Sequence, residues 1–571
     1  MSEATSFQAA NVACSVEIYP FEGGPYYISG GQIKAVTVTK TLHGGADGNF
    51  GIELAPGGPF GPESPADWSQ IITPGSHVLI GMGRGADSAI VMDGVVTLTA
   101  EDQQWHTDEN GSSSAMRIPT ITGSDFAWFF NTQNWYSLQL LGLTLGTGIG
   151  NQIGAITPPS LIQTISQGLN GTPVQIGQYW FNVMCGPSGM LTNTFVPYQG
   201  GYTRIPFSTL IGQNYEQYLA FIPFSEQFLG LESWNSKFMN IFPWPWYEFF
   251  VTTAPSGTYN FIAPDSGTPA NIAVSGRVFT MRDFPSAAPA GPQMVARIVP
   301  IPRMDFVKDS ATQNIAPTSS IDTSRWTNLP LNELSGYGFY ESRVEFASDE
   351  VKNFYLLNPT AYPTLFGNNG TNVVPFPFVF MAAADPASIH RYGYRPVDGT
   401  FRWFFDWEGK ASQNQNVDIV QSVATTTAAL ASWWHPLPLM LRGQVAIPLA
   451  PSIYIGTRYR YAPFKDGTIW EFYVEGVSHR FVFGGQSMTT LTLTRGLPVS
   501  VYSDTAASGL LHAVYTGNAR RQYTPGSSGI YQIGLPQGTG QGLQVFSTPQ
   551  NAAAIAGQMS QTFVTPQAPT S

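Results

Sequence analysis

A loose internal echo constrains this chain more than any other feature. An early stretch reads PGSHVLIGMGRG, AIVMDGVVTL and MRIPTITGSD, and a late stretch reads APSIYIGTRYRY, WEFYVEGVSHRF and MTTLTLTRGLP. Val78-Leu79-Ile80-Gly81 aligns with Ile453-Tyr454-Ile455-Gly456, and Met92-Asp93-Gly94-Val95 with Val474-Glu475-Gly476-Val477. Ile121-Thr122-Gly123 aligns with Thr494-Arg495-Gly496. The spacings are unequal, but each copy reads as strands of one small β-barrel. The six glycines Gly81, Gly94, Gly123, Gly456, Gly476 and Gly496 are its structural markers. A real duplication decides a fold, and three copies of a two-barrel chain would present six barrels to a six-fold partner.

Composition says what such a chain is for. Only 11% of its 571 residues are charged, while 13% are aromatic, with 59 Gly and 44 Pro. Disordered chains are charged and poor in aromatics, so this one is folded, β-rich and full of turns. Few charges leave little to desolvate when large surfaces meet, which favours an assembly component over an apolar enzyme. The formal net charge of −11 and the lack of a Lys/Arg block argue against stable nucleic-acid binding. The length suits about three or four domains.

Cys14 and Cys185 fit neither a metal spacing nor a disulfide framework, and point to synthesis in a reducing cytosol. The N-terminus shows no secretory pattern, and no apolar run is long enough for a membrane-spanning helix, so stable membrane insertion is not expected. Phe126 to Thr203 contains no Asp, Glu, Lys, Arg or His, and neither does the chain from Gln522 onward. The first stretch suggests burial between subunits. The second has the composition of an extended arm.

Periodicity predicts strands over VEIYPF, YYISG, IKAVTVTK, HVLIGMG, LRGQVAI, SIYIGTRYRY, IWEFYVEGV, HRFVFGG and MTTLTLTRG. Residues 42–68, rich in Gly and Pro, read as a long loop, Gly81-Met82-Gly83-Arg84-Gly85 as a shorter one, and Asp93-Gly94 as a turn or bulge. A helix is expected to start at Ser124 or Asp125. Two more are expected over Ser225–Phe242 and Asn416–Trp434. In the run FPWPWYEFF the aromatics read as a core or interface anchor.

At this point the ordered pieces resemble a known family. Phe472-Tyr473-Val474-Glu475-Gly476-Val477-Ser478-His479, followed by Thr490-Leu491-Thr492-Leu493-Thr494-Arg495-Gly496, resembles the C-terminal part of baseplate-hub (tail-hub) proteins of tailed bacteriophages, the late-control-D-like family. Asp67-Trp68-Ser69-Gln70-Ile71-Ile72-Thr73-Pro74-Gly75 leading into Val78-Leu79-Ile80 is similar in the same way. So are Met92-Asp93-Gly94-Val95-Val96, Pro245-Trp246-Tyr247-Glu248-Phe249-Phe250 and Met281-Arg282-Asp283-Phe284-Pro285. Asp349-Glu350-Val351-Lys352-Asn353 and His390-Arg391-Tyr392-Gly393-Tyr394-Arg395-Pro396 complete the order across roughly residues 60–500. The uncharged 126–203 stretch and the polar tail after Tyr502 depart from the pattern.

The resemblance implies a mainly β, α+β chain with two tail-tube-like β-barrels and mixed α/β middle domains, forming a homotrimeric pseudo-six-fold ring. The expected divisions are a first barrel over 1–130, the uncharged insertion with a helical segment over 131–260, and a mixed domain over 261–400. A helix with the second barrel follows over 401–503, then a polar arm over 504–571. The implied partners are the tail tube protein, the spike protein, baseplate wedge proteins and tape-measure proteins. DNA would pass through the ring without specific binding. The implied location is the tail baseplate of the virion, after synthesis in host cytoplasm.

The sequence offers no catalytic, metal or cofactor site. The histidines His43, His77, His106, His390, His435, His479 and His512 include no HExxH spacing, and no phosphate loop or serine elbow is present. His479 reads as a structural hydrogen-bonding residue at a turn. Two alternatives carry over. One is a tail-tip peptidoglycan hydrolase or carbohydrate-binding protein, for which Glu226, Glu232 and Glu248 lie near aromatics. The other is a capsid shell protein of similar composition.

Overall fold

A computed structural model describes residues 12–42, 48–55, 71–107, 111, 113–132, 134–135, 195–198, 201–204, 208–211, 232–233, 247–253, 261–262, 269–270, 281–283, 292–300, 303–308, 315–333, 338–359, 382–384, 386–401, 433–434, 436–502 and 531–533. Among these, strands dominate and helices are few and short.

The first group of strands is β1 (Val12–Tyr19), β2 (Tyr26–Ser29), β3 (Ile33–Thr41), β4 (Asn49–Leu54), β5 (His77–Arg84), β6 (Asp87–Thr107) and β7 (Ser113–Asp125), followed by helix α1 (Ala127–Thr132). The middle of the chain supplies β8 (Tyr247–Thr252), β9 (Gln293–Ile298), helix α2 (Ser324–Thr327), β10 (Leu331–Glu333) and β11 (Glu341–Phe346). The last group is β12 (Leu441–Pro448), β13 (Arg458–Tyr461), β14 (Trp470–Val482) and β15 (Met488–Pro498).

Thirteen of these strands form one curled sheet, ordered β2-β1-β5-β6-β7-β4-β3-β14-β15-β12-β11, with β13 joining β10 to β14. Its pairings are antiparallel except β10 with β13. The residue types explain the strands. β3 alternates buried Val36 and Val38 with exposed Thr37 and half-buried Ala35 and Thr39, and β15 buries Leu491 and Leu493 between half-exposed threonines. β5 is buried along nearly its whole length because β1 and β6 cover both its edges, while Val78, Ile80 and Met82 enter one hydrophobic cluster and Leu79 packs with Tyr19, Ile90 and Met281 in another.

Among the described residues the sheet carries two large hydrophobic clusters and two small ones. One of the large pair gathers Val16, Ile18, Val36, Val38, Ile52, Val78, Ile80 and Ile121 from the first group of strands. The other gathers Trp326, Tyr459, Phe472, Tyr473, Leu491 and Leu493 from the last group. The two interlock: Leu42, just past β3, packs into the second core, while Phe481 of β14 and Leu449 pack into the first. Each such side chain contributes about 1.5–3 kcal/mol when fully buried.

Several expectations change. The Gly/Pro-rich loop expected over 42–68 contains β4, whose Phe50, Ile52 and Leu54 alternate inward. Gly81-Met82-Gly83-Arg84 completes β5, and the reversal waits for Gly85, at φ +62°. Asp93-Gly94 makes no turn but lies within β6, whose ladders shift register nearby, at Val96/Leu98 and opposite Ile80/Gly81. Two expected strands, IWEFYVEGV and HRFVFGG, are one continuous β14, so His479 is mid-strand and buried rather than at a turn.

Helix α1 does start just after Asp125, whose Oδ1 accepts the Ala127 N–H at 2.9 Å. Within the helix expected over Ser225–Phe242, the described residues Glu232–Ser233 pair instead as a strand with Asn134–Trp135. Gly230 just upstream weakens a helix there. The rest of that segment lies outside the described residues, as does the helix expected over Asn416–Trp434 apart from Trp433 and Trp434, which are helical.

Candidate functional site at the seam of the sheet

The two strand groups meet at one seam. β3 pairs with β14 from Thr41 opposite Gly476 to Ala35 opposite Val482. The Leu42 N–H donates to the Glu475 carbonyl at 2.8 Å and the Phe483 N–H to the Lys34 carbonyl at 3.0 Å, extending the ladder at both ends. The other part of that β14 edge, Trp470–Tyr473, pairs with β13. One edge of β14 therefore carries β3 from the first strand group and β13 from the last.

Ionisable groups are buried beside the seam. Lys40 donates from Nζ to Thr253 Oγ1 at 2.8 Å and lies 3.5 Å from Asp125 Oδ2. His77 Nε2 is 2.7 Å from Asp93 Oδ1, and both side chains are wholly buried. Burial pushes Lys40 below its ordinary pKa, against the pull of Asp125 and Asp93, and pushes both carboxyls above theirs. Gly48 makes the room: a Cβ there would sit 2.5 Å from Asp125 Oδ2. The Tyr19 ring stacks on His77 at 5.7 Å, and its hydroxyl donates to Glu17 Oε2 at 2.5 Å.

Buried carboxylates also tie the middle of the chain to this region. Tyr473 of β14 donates its hydroxyl to Glu248 Oε2 of β8 at 2.5 Å. Glu17 Oε1 accepts the Arg282 N–H at 2.6 Å, and Ser15 Oγ donates to Asp283 Oδ2 at 2.8 Å. Further along β14, Glu471 accepts from Trp326 Nε1, from Arg458 Nη1 at 3.2 Å and from Arg460 Nε. Arg458 also donates to the Thr327 and Leu329 carbonyls, which fixes α2 and the chain leading into β10 against the second core.

These groups are polar clamps. A carboxylate needs solvent or substrate at its oxygens to do acid–base work, and Glu248 is 2% exposed with Tyr473 on it. That withdraws Glu248 from a sugar-binding cleft. Glu226 and the Glu232 side chain lie outside the described residues. Burial raises the Cys14 thiol far above its usual range, so it is no nucleophile. Among the described residues no group of three His, Cys, Asp or Glu could hold a metal ion, and no helix is long and apolar enough to cross a membrane.

The six marker glycines fall as follows. Gly81 is in β5, opposite Ser15 and Ile90; Gly94 is in β6 and Gly123 in β7. Gly476 is in β14 and Gly496 in β15. Gly456 is not in a strand: it turns the chain at φ +73° and donates its N–H to the Val474 carbonyl at 2.8 Å. Ile453 and Tyr454 are irregular and Ile455 begins the turn with Gly456 before the short β13, where the echo predicts a strand. The two copies share the neighbour order β5-β6-β7 and β13-β14-β15 but not the register. Sequence reasoning missed Lys40, Asp125 and Glu471 as partners, because no local spacing links residues that meet only across the sheet.

A scan of family models finds no match for this sequence, and neither does a search of curated proteins. Among solved structures the chain is similar to a 43 kDa tail protein of prophage MuSo2 from Shewanella oneidensis, at 12% identity, over 85% of this chain and 98% of that one, with a TM-score of 0.41. It is similar to a tail protein from Neisseria meningitidis MC58 at 10% identity, over 85% and 96%, with a TM-score of 0.35. A prophage tail protein, gp18, from Listeria monocytogenes matches at 8% identity, over 86% and 97%, with a TM-score of 0.33. Likenesses at this level fix neither fold nor function.

Proposed function

We propose that this chain is a structural component of a bacteriophage tail, and within it the baseplate hub. Three copies would form a ring whose two curled lobes per chain, one over each hydrophobic core, give six positions around a central channel. The ring would meet the six-fold tail tube on one side and the three-fold spike on the other, beside wedge and tape-measure proteins, while DNA passes through. The observation that carries this reading is the β3–β14 seam. β3 of the first strand group pairs with β14 of the last, and this supports two lobes held in a fixed mutual geometry, as a symmetry adaptor requires. The ordered resemblance across residues 60–500 and the low charge support it further.

The test is the mass of the native purified chain, followed by electron microscopy. A particle of three times 62.0 kDa that images as a ring is the expected result. A stable monomer at micromolar concentration with no affinity for tube or spike proteins defeats the proposal.

A further inference from the structure

The geometry around Lys40 points to a modification site: we propose that Lys40 Nζ and Asp125 Cγ condense into an intramolecular isopeptide bond, with Asp93 as the buried proton carrier. This inference stands apart from the assembly reading. Lys40 Nζ lies 3.5 Å from Asp125 Oδ2, and both side chains are at least nine-tenths buried. The amine is held by its hydrogen bond to Thr253 Oγ1 at 2.8 Å. The other carboxyl oxygen, Oδ1, accepts the Ala127 N–H at 2.9 Å. Amine and carboxyl are thus held side by side, each by its own hydrogen bond, which is the proximity that condensation requires.

The surroundings favour covalent bond formation over a lasting ion pair. A buried ion pair carries a desolvation cost that its attraction repays only with excellent geometry, and an amide removes both charges. Burial pushes Lys40 toward the neutral amine and Asp125 toward the protonated acid, the two forms that react. Asp93 adjoins Gly94, which stands opposite Asp125 in the β6–β7 ladder, and its charge acts on Lys40. Its Oδ1 is held by His77, while its Oδ2 is buried with no hydrogen-bond partner among the described residues.

The step balances without a co-reactant. The Nζ lone pair attacks Cγ and forms the C–N bond, while the carbonyl electron pair moves onto Oδ1, opposite the Ala127 N–H. Asp93, itself pushed toward the protonated acid, gives its proton to the departing Oδ2 and takes one from Nζ in exchange, and Oδ2 leaves as water when the Cγ–Oδ2 bond breaks. Net charge is unchanged, nothing is oxidised or reduced, and Asp93 ends as it began. The product ties β3, the seam strand, to the end of β7 on the far side of β4.

Mass spectrometry of the denatured full-length protein tests this. The expected result is an intact mass lower by one water than the sequence requires, with a branched peptide containing Lys40 and Asp125 after digestion. Lys40→Arg and Asp125→Ala should each show the full sequence mass, and Asp93→Asn should leave most of the protein uncondensed. Wild-type protein at full sequence mass, with Lys40 acylated by an amine reagent after denaturation, overturns the proposal whether or not the variants fold. Loss of water with Lys40 and Asp125 on separate peptides overturns it equally. Complete condensation in Asp93→Asn overturns the role of Asp93.

Discussion

The Phe50 ring of β4 lies across Gly123 of β7, where any Cβ would overlap it. The same device recurs in the other half of the sheet, where the Phe472 ring of β14 covers Gly496 of β15. An aromatic laid over a cross-strand glycine lets adjacent strands approach closely and curl. Gly496→Ala should destabilise by about 1–3 kcal/mol, since a well-packed core has no slack for an added methyl, and Gly123→Ala by more, since its Cβ would also overlap the Val95 backbone carbonyl oxygen. Gly51→Ala, with nothing within 4 Å of its Cβ, should stay within about 0.5 kcal/mol. Denaturant midpoints of the three variants decide the matter. A Gly496→Ala midpoint equal to that of Gly51→Ala would show that the Phe472 ring moves aside freely.

Glu471 is a buried carboxylate shared by two arginines and an indole, so losing its charge strands Arg458, which is 6% exposed. Glu471→Gln should cost about 3–5 kcal/mol. Arg442 provides the contrast. It reaches Asp349 at 2.6 Å and Glu350 at 2.8 Å, but both acids are more than half exposed. Arg442→Gln should cost less than about 1 kcal/mol, and raising salt should erase the difference from wild type. Similar losses for the two variants would refute the assignment of Glu471 as a clamp.

Much of the strand content was legible because alternation is a local signal: IKAVTVTK and TTLTLTRG show which side faces the core. The seam was not legible. Pairing of Val36 with Phe481 joins residues far apart in sequence, and nothing in either strand names its partner. β4 was hidden by its neighbours, since the Gly and Pro residues around Asn49–Leu54 mask an alternation only six residues long. The glycine markers were legible as positions but not as reasons. Gly123 and Gly496 matter because of rings on adjacent strands, whereas Gly456 matters for its positive φ. The buried ionisable cluster gave no signal, because Lys40, Asp93 and Asp125 each look like an ordinary surface charge in a row of letters.

The hydroxyl of Tyr473 is one tie between β8 and the second core, through Glu248. Tyr473→Phe keeps the ring in place and removes that donor from a buried carboxylate, at a cost of about 1–3 kcal/mol. The loss should be local. Amide hydrogen exchange should quicken across Tyr247–Thr252 while β5 keeps its protection. Uniform exchange across both segments would show that the bond supports the whole fold rather than one strand.

His479 sets an acid limit on stability. It is buried in mid-strand, with Nδ1 2.9 Å from Thr489 Oγ1. Burial is the main cause that pushes its pKa down from 6.5 to about 3, and the nearby Lys40 charge adds to this, while a hydrogen bond with the Ile453 backbone opposes it. Burial remains the larger cause whether or not Lys40 keeps its charge. The folded pKa is depressed, so between these two values the unfolded chain binds a proton that the folded chain refuses. The stability tied to the neutral ring is therefore complete above about pH 6.5 and is lost as pH falls toward 3, by at most about 1.4 kcal/mol per pH unit. His479→Gln cannot titrate, so its unfolding midpoint should fall less steeply than wild type from pH 6.5 to 4, even if it starts lower at pH 7. The buried carboxyls titrate in both proteins and cancel in the comparison. Parallel curves would mean that the ring is already charged, or reachable by water, in the folded state.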